Sequence, residues 1–308
     1  MRIVISEFMD DAAVADLARR FDVVYERDLV DRHADLRAGL ADADALIVRN
    51  RTQVDVALLA SAPRLRVVGR LGVGLDNIDT GACAARNVAV IPATGANARA
   101  VAEYVVAAAL LLLRGAYQSS LDVAAGKWPR AALSGGREIL GRTIGLVGFG
   151  GIGRETGRLA RAVGMRAVGF DPQVAADSSV WAQEQTSPLA FADVLAGCDV
   201  LSLHVPLTAA TRNLIDAAGI ASMRPGAILI NTSRGGVVDE AAVAAALAAG
   251  TLGGAALDVF EPEPLAADSP LADCPRLLLT PHVAGLTHES NLRVSTMIAE
   301  KVAAALAG

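Results

Sequence analysis

Short apolar runs recur along the chain, each followed by a stretch of helical spacing. The first series is Arg2–Ser6, Asp22–Tyr25, Ala45–Val48, Leu65–Gly69 and Val88–Ile91. The second is Thr143–Val147, Arg166–Phe170, Val200–Leu203, Ala227–Ile230, Ala255–Leu257 and Leu277–Leu279. A strand buried on both faces reads as a continuous apolar run, and strands alternating with helices indicate parallel βαβ units. Between the two series Pro92 and Gly95 punctuate the chain, and one long helical stretch is expected from about Asn97 to Gly126. A last helix, about Thr287 to Leu306, follows a break at Gly285. The pattern predicts an α/β chain of two doubly wound parallel-sheet domains.

Composition narrows this picture. A length of 308 residues suits two domains. Hydrophobic residues make up 53%, with few aromatics, which fits tight Ala-rich helices. A net charge of −5 argues against nucleic acid or an anionic membrane as partner. The most apolar run, Tyr104 to Leu113, is about half the length of a membrane span and reads as a buried helix. Cys83, Cys198 and Cys274 lack metal-ligand or redox-motif spacing. No disulfide framework or metal site is expected, and a reducing cytoplasm is. No secretory signal is expected ahead of the first strand.

The chemistry begins at Gly148-Phe149-Gly150-Gly151-Ile152-Gly153, which follows a strand and opens a helix. The first glycine permits a tight turn, the second lets backbone approach a pyrophosphate, and the third lets helix and strand pack closely. The helix N-terminus offers free N–H groups and a positive dipole end. The strand Arg166–Phe170 ends in Asp171, 18 residues after Gly153. A carboxylate there accepts from ribose hydroxyls and repels a 2′-phosphate, which favours NAD over NADP.

Several further stretches carry a resemblance. They are Gly69-Arg70-Leu71-Gly72-Val73-Gly74-Leu75-Asp76-Asn77-Ile78-Asp79, Val101-Ala102-Glu103, His204-Val205-Pro206-Leu207-Thr208 and Asn231-Thr232-Ser233-Arg234-Gly235. Asp258-Val259-Phe260-Glu261-Pro262-Glu263-Pro264 and Thr280-Pro281-His282-Val283-Ala284-Gly285 complete them. With the glycine turn and Asp171, the chain resembles the D-isomer-specific 2-hydroxyacid dehydrogenase family over nearly its whole length. The resemblance implies a Rossmann NAD domain over residues 98–285. It implies a flavodoxin-like substrate domain over residues 1–97 with 286–308. It also implies hydride transfer between NAD and C2 of a small 2-hydroxy or 2-keto acid, and a homodimer formed through the long helix after Asn97.

The family's catalytic residues carry over onto Arg234, Glu263 and His282. An imidazole takes the hydroxyl proton and returns it in reduction, and a carboxylate orients the ring. A forked guanidinium grips the substrate carboxylate or polarises the C2 oxygen. Glu261 is the nearby rival, and the family spacing from Asp258 selects Glu263. His288 is a rival acid, His33 reads as solvated surface, and His204 as lining the cofactor cleft. The resemblance further places Asp258 near the nicotinamide amide and Pro206 and Thr232 along the nicotinamide side. The turn at Val73 and Gly74 would present N–H groups to the substrate carboxylate.

Arg49-Asn50-Arg51-Thr52 follows a strand of the first series. This segment and Asn97-Ala98-Arg99 are similar to those of some 3-phosphoglycerate dehydrogenases. Arg49, Arg51, Asn97 and Arg99 are therefore expected to bind a distal anion, as in 3-phosphoglycerate or sulfolactate. The chain is expected to lack the C-terminal regulatory domain of many 3-phosphoglycerate dehydrogenases. Rival readings are a generic glyoxylate or hydroxypyruvate reductase, a formate dehydrogenase, and a non-catalytic NAD-sensing module.

Overall fold

A computed structural model describes residues 1–308, the side chain of Gln118 excepted. The chain divides into two compact units, Met1–Asn97 with Leu286–Gly308, and Ala98–Gly285.

In the first unit, the strands are β1 (Arg2–Ile5), β2 (Asp22–Tyr25), β3 (Ala45–Val48), β4 (Val67–Arg70) and β5 (Ala89–Pro92). Between them run α1 (Asp11–Ala18), α2 (His33–Leu40), α3 (Val56–Ala60) and α4 (Thr80–Ala85). The sheet order is β2-β1-β3-β4-β5, with every pairing parallel. This is the flavodoxin-like order, which reverses between β1 and β3. Alternate side chains leave opposite faces of a strand. Ile3 and Ile5 thus join Leu17 of α1 in one apolar cluster, while Val4, Leu46 and Val48 join Leu36 and Leu40 of α2 in another.

The second unit opens with α5 (Ala98–Arg114) and α6 (Ser120–Ala124). Then come β6 (Thr143–Val147), α7 (Gly151–Ala162), β7 (Arg166–Phe170), α8 (Ser179–Gln183), β8 (Ser187–Pro188), α9 (Phe191–Gly197) and β9 (Val200–Leu203). The unit continues through α10 (Ala217–Ser222), β10 (Ala227–Asn231), α11 (Glu240–Ala249), β11 (Leu252–Leu257) and β12 (Leu277–Leu279). Its parallel sheet runs β12-β11-β10-β9-β6-β7-β8, the Rossmann order with an added edge strand, reversing between β6 and β9. One face is covered by α5, through Val105 and Leu112, and the other by α9 and α11, through Val194 and Leu247.

The last helix, α12 (His288–Ala307), belongs to the first unit and is capped by Thr287, whose hydroxyl accepts the Ser290 N–H at 3.0 Å. It lies directly on β4. A Cβ on Gly69 would stand 2.7 Å from Val302 and 2.8 Å from Ile298.

The long helix expected from about Asn97 to Gly126 is broken. It stops at Arg114, and Gly115 takes a left-handed φ of +68° while its N–H reaches the Leu111 carbonyl. A left-handed glycine after the last turn is a common helix stop, and here a tight 3-10 turn and α6 follow. The short edge strand β8 was not expected, since two residues ending in Pro188 carry no apolar run. Among the described residues no helix is long and apolar enough to cross a membrane.

Candidate active site

The glycine turn stands where the second sheet reverses. Gly148 has a φ of +93°, and a Cβ there would lie 2.3 Å from the carbonyl oxygen of His204, just after β9. A Cβ on Gly153 would lie 2.2 Å from the Gly148 carbonyl oxygen. Strand end and helix start are thus in backbone contact. Gly150 and Gly151, by contrast, have nothing within 4 Å of an added Cβ. No side chain caps the start of α7, so its first N–H groups face open space, the arrangement that binds phosphate. Thr232, after β10, has a buried hydroxyl oxygen with no hydrogen-bond partner among the described residues. These features fit a dinucleotide.

Asp171 braces this turn. Its Oδ2 accepts the Phe149 N–H at 2.7 Å and its Oδ1 accepts the Gln173 N–H at 2.8 Å. Phe149 itself stacks on Trp181 at 4.0 Å between ring centres. His204 approaches Gly153, and its Nε2 lies 3.0 Å from Ser202 Oγ. Burial pushes the His204 ring down to a pKa of about 4, so it stays neutral near pH 7. Pro206 is exposed, and its carbonyl accepts the Thr211 hydroxyl at 2.6 Å.

The ends of β10, β11 and β12 carry the three expected catalytic side chains. His282 Nδ1 lies 2.9 Å from Glu263 Oε2. The other Glu263 oxygen accepts the Phe260 N–H at 3.1 Å, which fixes the carboxylate from behind. Glu261, the rival, is instead held by Arg212 at 2.6 and 3.0 Å and points to that guanidinium. Arg234 sits in a turn tied by Asn231, whose Oδ1 accepts from both the N–H and hydroxyl of Ser233. Asn231 Nδ2 donates to the Arg234 carbonyl at 2.9 Å. The next residue, Gly235, comes so close to the loop of Glu263 that its Cβ would stand 1.9 Å from the Phe260 carbonyl oxygen. Arg234 and Glu263 therefore sit on loops in direct backbone contact.

Asp258 is almost fully buried, and its carboxylate is occupied by the turn that carries His282. It accepts the N–H groups of Val283 and Ala284, each at 2.8 Å, and the Thr280 hydroxyl at 2.6 Å. The family resemblance places Asp258 near the nicotinamide and implies no role for Thr280, although Thr280 opens the Thr280–Gly285 motif. Only the fold shows that these two meet.

The first unit places its expected residues differently from one another. Arg49 follows β3 and is half-buried. Its guanidinium lies 5.5 Å from the centre of the Phe8 ring and donates to Asn291 Oδ1 at 2.7 Å. Burial lowers its pKa, opposed by the nearby Glu7 carboxylate. Arg51 is exposed and is engaged by Asp31, which raises its pKa. Val73 and Gly74 lie in the turn after β4, and their N–H groups have no acceptor among the described residues. Asn97 carries a buried side-chain oxygen without a protein partner. Arg99 belongs to the second unit, where it pairs with Glu103 at 2.6 Å and Glu155 at 3.2 Å. The sequence reading missed Glu7. Its buried carboxylate accepts the N–H groups of Arg49, Asn50, Arg51 and Thr52 at 2.9–3.3 Å. A lone acid after the first strand gives no signal by itself.

Residues 106–284 match the family described as D-isomer specific 2-hydroxyacid dehydrogenase, NAD binding domain. The chain belongs to the D-isomer specific 2-hydroxyacid dehydrogenases. It is an NAD-dependent oxidoreductase of 2-hydroxy acids. Among members of this family, it is 54% identical over 304 residues to an (S)-sulfolactate dehydrogenase of Chromohalobacter salexigens, covering 99% of this chain and 98% of that one. It is 40% identical over 306 residues to a D-3-phosphoglycerate dehydrogenase of Mycobacterium leprae, covering 99% of this chain but only 57% of that one. A solved structure from Thermus thermophilus superposes with a TM-score of 0.90 at 31% identity, covering 100% of this chain and 97% of that one.

Proposed function

We propose that the enzyme oxidises a 2-hydroxy acid bearing a second anion on C3, with (S)-sulfolactate the leading substrate and 3-phosphoglycerate the alternative. Arg49 carries this reading. Its guanidinium is half-buried against Phe8, and its side-chain hydrogen bond goes to a neutral amide. A partly desolvated cation without a carboxylate in that bond attracts an anion strongly. Arg51 and Arg99 are engaged by acids, so the selective cation is Arg49. The relative named for (S)-sulfolactate supports the sulfonate. Its (S) label agrees with the D-isomer family. The sulfur branch outranks the carboxyl group in the priority rules, so (S)-sulfolactate and D-glycerate derivatives share one arrangement at C2.

In this scheme the N–H groups of Val73 and Gly74 in the first unit form an anion nest suited to a carboxylate. Within the second unit, Arg234 grips a substrate carboxylate or the C2 oxygen. Glu263 accepts a hydrogen bond from His282 Nδ1–H, which leaves Nε2 to take the hydroxyl proton. The oxidised nicotinamide of a bound NAD would supply the hydride acceptor for C2, and its reduced form, NADH, the hydride donor for the reverse reaction. Gly148 to Gly153 would hold its pyrophosphate, Asp171 its ribose through lone pairs not used by Phe149 and Gln173, and Thr232 its nicotinamide side. His204 packs beside the turn as a neutral ring. The test is turnover of (S)-sulfolactate, D-3-phosphoglycerate, D-glycerate and D-lactate by wild type and Arg49→Ala. Loss of one charge-assisted hydrogen bond should lower kcat/KM about 10- to 100-fold for the doubly anionic acids. An equal loss on D-lactate overturns the assignment.

The same reading makes the protein a cytoplasmic homodimer. Leu110 and Leu111 on α5, Leu121 and Val123 on α6, and Trp128 and Leu140 beyond them are exposed. Leu110, Leu111 and Leu140 line one surface cavity, and exposed large apolar side chains gathered at a monomer surface mark an interface. Sedimentation of wild type and Trp128→Asp measures it, and a monomeric wild type at micromolar concentration removes it.

A further inference from the structure

His282 has a φ of +56°, a left-handed backbone for a non-glycine residue. Such a conformation persists only where its surroundings over-determine it. The turn from Thr280 to Ala284 is fixed almost entirely by one residue, Asp258. Its carbonyl accepts the His282 N–H at 2.8 Å, and its carboxylate accepts from Thr280, Val283 and Ala284. The Asp258 N–H in turn donates to the Asn231 carbonyl at 3.0 Å, tying the turn to the end of β10.

The proton inventory gives this network a direction. An ionised Asp258 only accepts, so the single Thr280 hydroxyl hydrogen goes to it. Tyr104 of α5 lies 2.6 Å from the same Thr280 oxygen and must therefore be the donor there. Burial raises the pKa of the Tyr104 phenol, which keeps it protonated. The order is Tyr104 to Thr280 to Asp258, and Asp258 holds the turn of His282.

We propose that Thr280 is a positioning residue for the catalytic base: anchored from α5 by Tyr104, it fixes the Asp258 carboxylate and so aims the His282 imidazole at the substrate hydroxyl. The Thr280 hydroxyl is engaged by Tyr104 and Asp258. It acts on rate through the placement of His282. A misplacement of about 1 Å at a reacting group can cost roughly 100-fold in rate.

The experiment uses whichever 2-keto acid the wild type reduces fastest, so it stands apart from the distal-anion assignment. Thr280→Val keeps the shape and removes the hydroxyl. The expected result is a kcat about 10- to 100-fold lower, with little change in KM for NADH and a larger solvent deuterium isotope effect on kcat. Thr280→Ser restores the hydroxyl and should return most of kcat. Tyr104→Phe removes only the outer donor and should show a smaller loss of the same kind. It also serves as the decisive variant if Thr280→Val does not fold. Wild-type kcat in Tyr104→Phe and Thr280→Val overturns the proposal. So does a change confined to KM for NADH, which would assign the network to the cofactor. A loss of kcat without any rise in the isotope effect, not rescued by serine, overturns it as well.

Discussion

His282 Nδ1 and Glu263 Oε2 are 2.9 Å apart, and this one contact leaves Nε2 as the ring nitrogen open to a reaction partner. The carboxylate accepts from Nδ1, so Nε2 is the free acceptor in the neutral ring. Replacing His282 by Asn removes the base and should lower kcat on the order of 10²- to 10⁴-fold. Glu263→Gln keeps the side-chain shape but loses the charge, and an intermediate loss is expected. Because the two residues act as a unit, the double variant should be scarcely slower than His282→Asn alone. NADH fluorescence titration separates this from cofactor loss. Additive losses in the double variant would show that Glu263 acts on something other than the ring.

Four consecutive N–H groups, from Arg49 to Thr52, converge on the Glu7 carboxylate at the end of β1. This is the point where the first sheet reverses its order, the usual ligand position in such sheets. Glu7 thereby sets the turn from which Arg49 projects. Glu7→Gln presents an NH₂ group to N–H donors and leaves part of the turn unsatisfied, a cost of about 1–3 kcal/mol. The expected outcome is a raised KM for the doubly anionic substrate with kcat less affected, and a lowered Tm. A KM raised equally for D-lactate would separate Glu7 from specificity.

The glycine turn makes two separable predictions from two kinds of glycine. A Cβ on Gly153 meets the Gly148 carbonyl oxygen, which is backbone and cannot swing away. Gly153→Ala should therefore lower Tm, and with it NAD binding. A Cβ on Gly150 meets nothing within 4 Å, so Gly150→Ala should fold with a Tm near wild type. It occupies the open space where the pyrophosphate would approach, and the Kd for NADH should rise at least about tenfold, or 1.4 kcal/mol. Calorimetry on both variants checks the contrast. Full NADH affinity in Gly150→Ala would move the pyrophosphate off this face of the turn.

The sequence carried the strands well because both sheets are buried on both faces. Ala45–Val48, Thr143–Val147 and Val200–Leu203 are continuous apolar runs that coincide with observed strands. The break at Gly115 went unread because apolar spacing resumes at Leu121 and Val123, and only the sign of φ at Gly115 decides. The candidate catalytic residues were legible where a local motif surrounds them, as with His282 and Glu263. Support residues were not, since their partners are remote in sequence. Glu7 reaches 42–45 residues ahead to its turn, and Tyr104 reaches 176 residues ahead to Thr280. The arginines could not be told apart for a related reason. Arg49 and Arg51 look alike in sequence, yet Asp31 engages one and Phe8 and Asn291 hold the other.

His204 gives the last prediction, one of stability against pH. Its folded pKa of about 4 lies below the ordinary histidine value of about 6.5, because burial disfavours the charged ring. Between these two values the unfolded chain binds the proton and the folded chain does not. Stability therefore rises with pH across that window, and it is lost as pH falls from about 6.5 towards 4. Below the folded value both states are protonated and this contribution levels off. The shift corresponds to at most about 3 kcal/mol. His204→Gln keeps a polar group near Ser202 but cannot titrate. Denaturant unfolding at pH 7.5, 6, 5 and about 4 should show a shallower pH slope in the variant than in wild type. Equal slopes would mean that His204 is already solvated in the folded protein.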